Sequence, residues 1–437
     1  MDAEIYAPGR EDLLVESVKN TPKIIARGMG RCYGDSALAG HILSSLKLNC
    51  FLRFDEQNGV LDCEAGVTFD DILRTVVPAG WFLPVTPGTK FITVGGAIAS
   101  DIHGKNHHAA GTFSDHVHWF DLLLANGEIR RCSRTENIGL FRLTCGGMGL
   151  TGIILRASFG LEKIESSYIR QESIKAKNLD DIMRLFEDSA SWTKTVAWID
   201  CLSKGAKMGR SIMMRGEVAK LSDLRTERQR AQPLQVHKSA MLNVPFNFPS
   251  FVLNSFSVKA FNFLYYNKHP NRQVNSIIHY DTFYYPLDIV HNWNRIYGKN
   301  GFTQYQFVLP YATSREGLID IIGLIGKRNM GSFLTVLKLF GKQEENYLRF
   351  PMEGYTLAMD FKINKRVWNF LDEMDELVLK YGGRVYLTKD VRMRPETLQA
   401  MYPQAGEFRE KVHVTDPLEK FSSVQSQRIG IHQKING

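Results

Sequence analysis

Hydrophobic residues recur along the chain with the period of helices in some segments and of strands in others. The run Glu11–Val18 carries its leucines and its last valine on one side, which predicts an amphipathic helix. Thr68 and Asp71 have the spacing of a capping box, and this predicts the start of a second helix, ending at Val77. Val367–Tyr381 has the same helical period, and the glycine pair that follows it predicts the end of that helix.

Short apolar runs bounded by turn residues predict strands, and most of them fall in the first third of the chain. These runs are Lys23–Ala26, Val60–Cys63, Phe82–Val85, Asp121–Ala125, Glu128–Cys132 and Arg384–Leu387, with one or two more strands between Gly149 and Ile164. Asn126-Gly127 between two of them predicts a hairpin with a type I′ turn, in which both central residues have positive φ. The first third is therefore a strand-rich, glycine-rich, mixed α+β region.

Length and composition are those of a globular protein. The chain has 437 residues, of which 44% are hydrophobic and 23% charged, so we expect roughly two or three domains. The net charge of +8 favours an anionic partner, either a phosphate-bearing small molecule or a lipid surface, and no nucleic-acid module is visible. Six scattered cysteines predict reduced thiols. With no signal peptide at Met1–Glu4 and no apolar run of ~18 residues, we expect a cytoplasmic protein, peripheral to the inner membrane if it meets lipid.

Three glycine-rich segments could hold a phosphate-bearing ligand. The first has the spacing Gly28-x-Gly30-x-x-x-Gly34, one residue too long for a dinucleotide-binding fingerprint, and by itself it also fits an ordinary turn. The second runs from Pro87 to Gly104, and the third from Cys145 to Gly152. Glycines let backbone N–H groups approach a pyrophosphate closely, and several such segments suit a long diphosphate cofactor better than a single phosphate.

The same segments resemble a known family of flavoproteins. The patterns R-G-x-G-R-x-Y-G-D, P-G-T-x(3)-T-V-G-G-A-I and G-x-x-G-L-T-G-I resemble the FAD domain of the vanillyl-alcohol oxidase superfamily. Four further runs are similar to those of the decaprenylphosphoryl-β-D-ribose 2-oxidases of mycobacterial arabinan precursor synthesis. They are Asp101–His108, Gln304–Phe307, Lys338–Gly341 and Tyr386–Asp390. The resemblance spans nearly the whole chain and is weakest from Ser166 to Asn275.

The resemblance implies an α+β fold with a PCMH-type, two-subdomain FAD-binding domain and a cap domain built on an antiparallel sheet with flanking helices. It places the FAD-binding domain at residues 1–166, the substrate-binding cap at 167–383 and a return to the FAD-binding domain at 384–437. It also implies FAD contacts, which are Ala26, Arg27, Gly28, Met29, Gly30, Arg31, Cys32, Tyr33, Gly34, Asp35, Ser36, Gly88, Thr93, Val94, Gly95, Gly96, Ser100, Asp101, Ile102, His103, Ile154 and Tyr386. The implied substrate contacts are Tyr284, Arg295, Gln304, Gln306, Lys338 and Lys389, together with His103.

Two positions depart from the family pattern. Arg31 stands where many members of the superfamily have a histidine bonded covalently to the flavin, so non-covalent FAD is expected. Ala358 stands where the mycobacterial enzymes have a cysteine facing the pocket, which leaves the reaction possible but alters the shape of the substrate site.

The candidate catalytic residues are His103 and Lys389. Oxidation of an alcohol by flavin requires hydride transfer to the flavin N5 atom and removal of the hydroxyl proton by a positioned base. From spacing alone Lys389 would pair with Asp390 at the surface, whereas the resemblance places it in the pocket. Lys338 lies in an apolar run, where a lysine needs an anionic partner. Glu is absent from the place that a zinc motif around His103 and His107 requires, so no metal is expected.

The resemblance favours oxidation of the C2 hydroxyl of a polyprenylphosphoryl-β-D-ribose, with an NAD(P)H-dependent keto-sugar reductase as partner. One alternative is an FAD oxidase of a soluble sugar or alditol that uses oxygen. Another is a non-catalytic protein that binds flavin or a lipid phosphate. The aromatic run Phe246–Tyr266, beside a basic stretch, fits either a lid that receives a polyprenyl tail at a membrane or a pair of core helices.

Overall fold

The structure is a computed structural model that describes residues 2–236, 242–249, 251–343 and 347–432. Its strands are β1 Glu4–Tyr6, β2 Ile25–Arg27, β3 His41–Ser44, β4 Phe51–Asp55, β5 Val60–Glu64, β6 Trp81–Phe82, β7 Val117–Leu123, β8 Ile129–Ser133, β9 Ile153–Gly160, β10 Glu162–Lys163, β11 Tyr168–Ala176, β12 Lys194–Ile199, β13 Ser211–Val218, β14 Leu242–Asn243, β15 Val274–His279, β16 Val290–His291, β17 Phe302–Pro310, β18 Thr335–Phe340, β19 Gly354–Lys362 and β20 Arg384–Val385.

The α-helices are α1 Glu11–Asn20, α2 Phe69–Val76, α3 Val94–Ala99, α4 His107–Ala110, α5 Ile138–Thr144, α6 Leu179–Glu187, α7 Glu227–Ala231, α8 Ser255–Lys268, α9 Tyr280–Tyr284, α10 Ser314–Arg328, α11 Val367–Lys380, α12 Pro395–Met401, α13 Ala405–Thr415 and α14 Val424–Arg428. Helices and largely antiparallel sheets are mixed along the chain, which confirms the predicted α+β class. None of the helices in the described ranges has both the length and the hydrophobicity that crossing a bilayer requires.

The first third forms two sheets. A parallel sheet of order β1-β3-β2 packs on α1, and a five-stranded antiparallel sheet has the order β4-β5-β9-β7-β8. The predicted capping box is confirmed: the Thr68 side chain accepts the backbone N–H of Asp71, and the Asp71 carboxylate accepts the backbone N–H of Thr68. These sheets bring the three glycine-rich segments to one end of the domain.

The hairpin at Asn126-Gly127 is confirmed, but the predicted type I′ turn is wrong. Gly127 donates its N–H to the carbonyl of Leu124 at 2.9 Å, and Leu124 in turn donates to Glu128. Gly127 has φ +85°, whereas Asn126 is not among the residues with positive φ. The loop is thus a three-residue type I turn closed by a glycine bulge, which needs positive φ at only one position.

Most of the remaining core belongs to an eight-stranded antiparallel sheet of order β15-β11-β13-β12-β18-β19-β17-β20. Its inner face packs on α6, α10 and α11, with Phe307, Leu337 and Leu357 fully buried among them. Because side chains alternate along a strand, Gln304, Gln306 and their counterparts on β18 and β12 lie on the opposite face. That opposite face forms one wall of the functional site.

The C-terminal segment returns to the first sheets. Lys420 donates from Nζ to the carbonyl oxygens of Val18 and Thr21, at 2.6 and 3.1 Å, and Arg428 pairs with Asp35. The predicted return of residues 384–437 to the FAD-binding domain requires contacts of this kind. The exact domain boundaries stay a prediction, since β20 at residues 384–385 still pairs with the large sheet.

The aromatic run Phe246–Tyr266 does not form a pair of core helices, so that interpretation is wrong for the described residues. It contains one helix, α8, which packs on the protein through Val258 and Asn262. On the other side of α8, Phe256 is 81% exposed and Leu264 is 67% exposed. Residue 250 of this run lies outside the described residues.

Candidate active site

A cavity of about 980 Å³ lies between the glycine-rich segments and the open face of the eight-stranded sheet. Every predicted FAD residue lines it except Arg27, Gly34, Asp35, Val94 and Asp101. Every predicted substrate residue lines it except Arg295. The tertiary structure therefore brings together side chains and glycines that are up to several hundred positions apart in the chain.

The first glycine-rich segment packs closely against two other parts of the chain. A Cβ on Gly28 would lie 2.1 Å from Thr93 Oγ1, and a Cβ on Gly34 would lie 1.9 Å from the carbonyl oxygen of Asp390. Thr93 Oγ1 in turn accepts the N–H of Gly96 at 3.2 Å and caps α3. A Cβ on Gly88 would have no other part of the described protein within 4 Å, so this glycine borders open space in the cavity.

The predicted FAD residues that do not line the cavity stabilise the segments that do. Asp101 has φ +38° and is buried, with its carboxylate accepting from Arg349 Nε at 2.5 Å and from the Ser114 N–H at 3.2 Å. Val94 lies in the core as the first residue of α3. Arg27 donates weakly to the carbonyl of Ala37 at 3.4 Å.

Arg295 does not reach the cavity. Its Nη1 atom donates to the carbonyl oxygens of Val244 and Pro245, at 3.1 and 2.8 Å. It therefore fixes the segment at residues 242–249 against the helical turn that carries it. Tyr284, in contrast, lines the cavity and stacks on Phe82 with 5.4 Å between ring centroids.

His103 is buried in the cavity wall among Phe340, Phe350 and Tyr386. Burial, aided by the positive charge of Lys338, lowers its pKa well below the usual value, so the ring is neutral. Its Nε2 atom lies 3.0 Å from Gln306 Nε2, and its Nδ1 atom has no partner in the described part of the chain. If Gln306 donates, Nδ1 carries the proton, and a buried donor beside the cavity still lacks an acceptor.

Lys389 is not part of a surface ion pair. Its Nζ atom lies 4.0 Å from the centroid of the Tyr33 ring, and Asp390 instead forms an ion pair with Arg428 at 2.9 Å. Burial lowers the pKa of Lys389 to about 8. Strand β20 ends at Val385, two residues earlier than predicted. The short helical turn Leu387–Lys389 follows it, and the Lys389 side chain lines the cavity.

Two further lysines with lowered pKa values line the cavity. Burial lowers the pKa of Lys338 to about 7, with a contribution from Lys389, and lowers the pKa of Lys105 to about 7, with a contribution from Lys338. Lys105 donates to the carbonyl of Phe283 and lies 4.6 Å from that ring. Lys105 lies in the run Asp101–His108 and was not among the predicted site residues; its signal in the sequence is a lysine two residues after His103. An anionic ligand would stabilise the charged forms of these three half-buried lysines.

An acid that the sequence analysis missed orients one of the two glutamines. Asp360 is buried behind Gln304 and accepts from its Nε2 atom at 2.6 Å and from the Tyr297 hydroxyl at 3.2 Å. Burial raises the pKa of Asp360 to about 7. Since Nε2 of Gln304 is used by Asp360, its Oε1 atom remains to accept a hydrogen bond from a hydroxyl group.

No group of His, Cys, Asp and Glu suitable for a metal ion occurs within the described ranges. His107 Nε2 lies 2.7 Å from Gln343 Oε1, and His108 Nε2 lies 2.6 Å from the carbonyl oxygen of Trp192. Both histidines thus hold α4 against neighbouring segments.

The residues present fit FAD. The cavity has the size of a cofactor site, and the open position at Gly88 allows a ligand to approach the backbone closely. The unpartnered Nδ1 atom of His103 and the half-buried lysines supply hydrogen-bond donors beside the cavity, which suit a flavin ring that becomes anionic on reduction.

Comparisons with known proteins agree with this geometry. Residues 10–133 match the family model described as an FAD-binding domain. The decaprenylphosphoryl-β-D-ribose oxidase of Mycolicibacterium smegmatis is 39% identical over 98% of this chain and 94% of its own length. An uncharacterised Streptomyces coelicolor protein is 32% identical over 84% of this chain and 100% of its own length. A D-lactate dehydrogenase of Anaerostipes hadrus is 28% identical over 40% of this chain.

The first of these relatives matches both the FAD-binding third and the eight-stranded sheet, so the likeness covers the cofactor side and the opposite wall of the cavity. The PCMH-type fold, the FAD cofactor and the class of flavin-dependent oxidoreductase predicted from the sequence are thereby confirmed. The chain belongs to the decaprenylphosphoryl-β-D-ribose oxidase family of FAD-dependent oxidoreductases.

Proposed function

We propose that this enzyme oxidises the C2 hydroxyl of a polyprenylphosphoryl-β-D-ribose to the keto sugar. The observation that carries the proposal is the convergence of Lys389, Gln304 and Gln306 on the cavity wall that faces the glycine-rich segments. The whole-length similarity to a relative named for that substrate supports it. The keto sugar would then be the substrate of an NAD(P)H-dependent reductase.

In this proposal Lys389 is the base. Oxidation removes a proton from the hydroxyl oxygen and a hydride from the carbon, and bound FAD supplies the hydride acceptor. With a pKa of about 8, Lys389 is neutral in a useful fraction of molecules near neutral pH and can accept the hydroxyl proton. Gln304 Oε1 accepts from a neighbouring sugar hydroxyl and orients the ring.

Lys338 and Lys105 provide the positive charge that the phosphate of the substrate requires. Neither the Lys338 nor the Lys105 ammonium forms an ion pair with a carboxylate in the described residues, and burial disfavours their charged forms. A bound phosphate would raise both pKa values and restore the charge. His103 is neutral and contacts Gln306 in the cavity wall, so we assign it to positioning beside the flavin.

The cavity also has an apolar part that suits a prenyl chain better than a soluble polyol. Trp198, Met214, Tyr265 and Leu334 line it on the side away from the glycine-rich segments. A free sugar or alditol would leave this surface in contact with water, whereas an isoprenoid chain would bury it. The apolar lining therefore supports the lipid-linked substrate over the soluble one.

We also propose that FAD is held without a covalent bond. Arg31 lines the cavity at the position where related flavoproteins carry the linking histidine, and a guanidinium does not form that bond. Denaturation with acid should release all of the flavin into the supernatant. Yellow colour that stays with the precipitated chain would contradict this assignment.

The substrate is tested by anaerobic reduction of the FAD-loaded enzyme. Polyprenylphosphoryl ribose in detergent should bleach the flavin absorbance near its long-wavelength maximum, whereas free ribose and an alditol should leave it unchanged. Bleaching by the alditol, with none by the lipid-linked sugar, would assign the enzyme to the oxidases of soluble sugars instead. Absence of bleaching by all three would remove the proposed activity.

A further inference from the structure

Helix α8 has an apolar outer face that the rest of the described protein leaves uncovered. Phe256, Phe263 and Leu264 lie on one side of it, with 81%, 58% and 67% of their surfaces exposed. Phe251, 75% exposed, is held beside the start of α8 by Asn254, whose Nδ2 atom donates to the Phe251 carbonyl at 2.7 Å. We call these four residues the outer face. An isolated exposed apolar residue is ordinary, but four large ones on one helix and its approach indicate an interaction surface.

The opposite side of the same helix belongs to the cavity. Tyr265 and Lys268 line it, and the ring centroids of Tyr265 and Trp198 are 4.7 Å apart. Val258 and Asn262 fix the helix to the sheet, and the Asn262 amide donates to Asp200 at 2.7 Å. Large apolar side chains therefore lie on both sides of α8, and an exposed apolar helix face of this kind is covered either by protein or by lipid.

The charges on α8 and just after it indicate which of these covers the outer face. Helix α8 contains no aspartate or glutamate. Lys259 and Lys268 are exposed on α8, and Arg272 is exposed just beyond it. An exposed apolar helix face with exposed basic residues on the same segment is complementary to a bilayer that carries anionic headgroups.

We propose that the outer face of α8 binds an anionic lipid bilayer, with its aromatic side chains in the acyl boundary and its lysines at the headgroups. The cavity wall formed by Tyr265 and Lys268 then lies at the membrane surface. The role of this placement rests on the proposed function, because a lipid-linked sugar would pass from the bilayer into the cavity. The membrane contact itself does not depend on the substrate.

The test is vesicle flotation of the full-length, FAD-loaded enzyme. It should float with phosphatidylcholine vesicles that contain about one third phosphatidylglycerol and should bind pure phosphatidylcholine more weakly, since headgroup charge contributes to binding. Raising the salt from ~0.1 M to ~0.5 M should weaken the binding, because it screens the lysines. Absence of binding to the anionic vesicles at low salt would overturn the proposal.

Substitutions identify the surface. The triple variant F256S/F263S/L264S should lower vesicle binding by about tenfold or more, because each change removes apolar area from the acyl boundary. The matched control V414S/L418S changes two residues that are 80% and 78% exposed elsewhere, and it should float like the wild type. Equal flotation of the triple variant and the wild type would assign the binding to another surface and overturn the proposal.

Two further measurements separate the alternatives. Sedimentation velocity tests for a dimer. If the wild type is a dimer, the triple variant is a monomer and the wild type does not bind vesicles, then a second copy of the chain covers α8 and the proposal is wrong. Flavin reduction in detergent should be unchanged in the triple variant. Vesicle binding that depends on the outer face, in an enzyme that polyprenylphosphoryl ribose does not reduce, would keep the membrane contact and remove only the proposed substrate.

Discussion

At the scale of single residues, Lys389 carries most of the proposed chemistry. Lys389→Ala removes the base but none of the backbone that contacts the cofactor, so FAD should still bind. The rate of flavin reduction by substrate should fall by ~10²–10⁴-fold, the usual contribution of general base catalysis. Anaerobic stopped-flow absorbance measures this rate directly, and reoxidation by an added acceptor should stay the same. A variant reduced at the wild-type rate would show that Lys389 is not the base.

The pH dependence of the same step follows from the lowered pKa of Lys389. Only the neutral amine accepts a proton, and its fraction grows as pH rises through about 8. The rate of flavin reduction should therefore rise from about pH 6 and level off above about pH 9. In Lys389→Ala this rise should be lost. A wild-type rate that falls across the same range would instead mean that the ammonium form is required.

At the scale of elements, the first glycine-rich segment and the N-terminus of α3 depend on each other. In Gly28→Ala the new methyl group would meet Thr93 Oγ1 at 2.1 Å, so either the segment or the α3 cap must shift. Loss of such a cap costs about 0.5–2 kcal/mol, and we expect FAD affinity to fall by tenfold or more, on the order of 1.4 kcal/mol. Thermal unfolding of the apoprotein and fluorescence titration with FAD measure the two effects.

Two other glycines serve as controls for this change. In Gly40→Ala the new methyl group has no atom of the described segments within 4 Å, apart from its chain neighbours, and it does not line the cavity, so stability and FAD affinity should both be unchanged. In Gly88→Ala the methyl group is equally free of contacts with the described residues but projects from the cavity wall, so it should lower FAD affinity without lowering the stability of the apoprotein. If Gly28→Ala behaved like Gly40→Ala, the proposed coupling between the segment and α3 would be wrong.

At the scale of the whole molecule, Arg349 connects the FAD-binding third to the segment before β19. It is buried, and it donates to Asp101 at 2.5 Å and to Asp115 at 2.7 Å. Arg349→Met would leave the carboxylate of Asp101 buried without its partner, which typically costs about 3–5 kcal/mol. Urea unfolding of the FAD-loaded protein should show a loss of that order.

The control is an ion pair at the surface. Arg315 and Asp180 are 2.8 Å apart, with side chains 50% and 63% exposed. Arg315→Met should cost about 0–1 kcal/mol, because water already solvates both groups. Similar losses in the free energy of unfolding for the two variants would show that burial does not determine how much the Arg349 ion pair stabilises the protein.

The sequence by itself determined most of the local elements and the chemical family, although the strand predicted at Phe82–Val85 is wrong beyond Phe82, since the structure has only the two-residue strand Trp81–Phe82 there. Helix ends with a capping box or a glycine pair were predicted correctly, because they depend on contacts within a few residues. The hairpin position was correct, but its turn type was not, since a glycine with positive φ occurs in more than one kind of turn. The glycine-rich motifs and their resemblance indicated FAD, because a cofactor contacted by backbone groups leaves its pattern in contiguous segments.

Only the tertiary structure decided which of these residues meet. Arg295 was expected in the pocket, yet its guanidinium is used by two backbone carbonyls, and Asp360 was missed because it acts from behind Gln304. Whether Lys389 pairs with its neighbour or lies in the cavity depends on Tyr33 and Arg428, which are distant in sequence. The degree of burial lowers the pKa values of the lysines, and its absence leaves the outer face of α8 exposed. It results from packing between elements, so no local pattern encodes it.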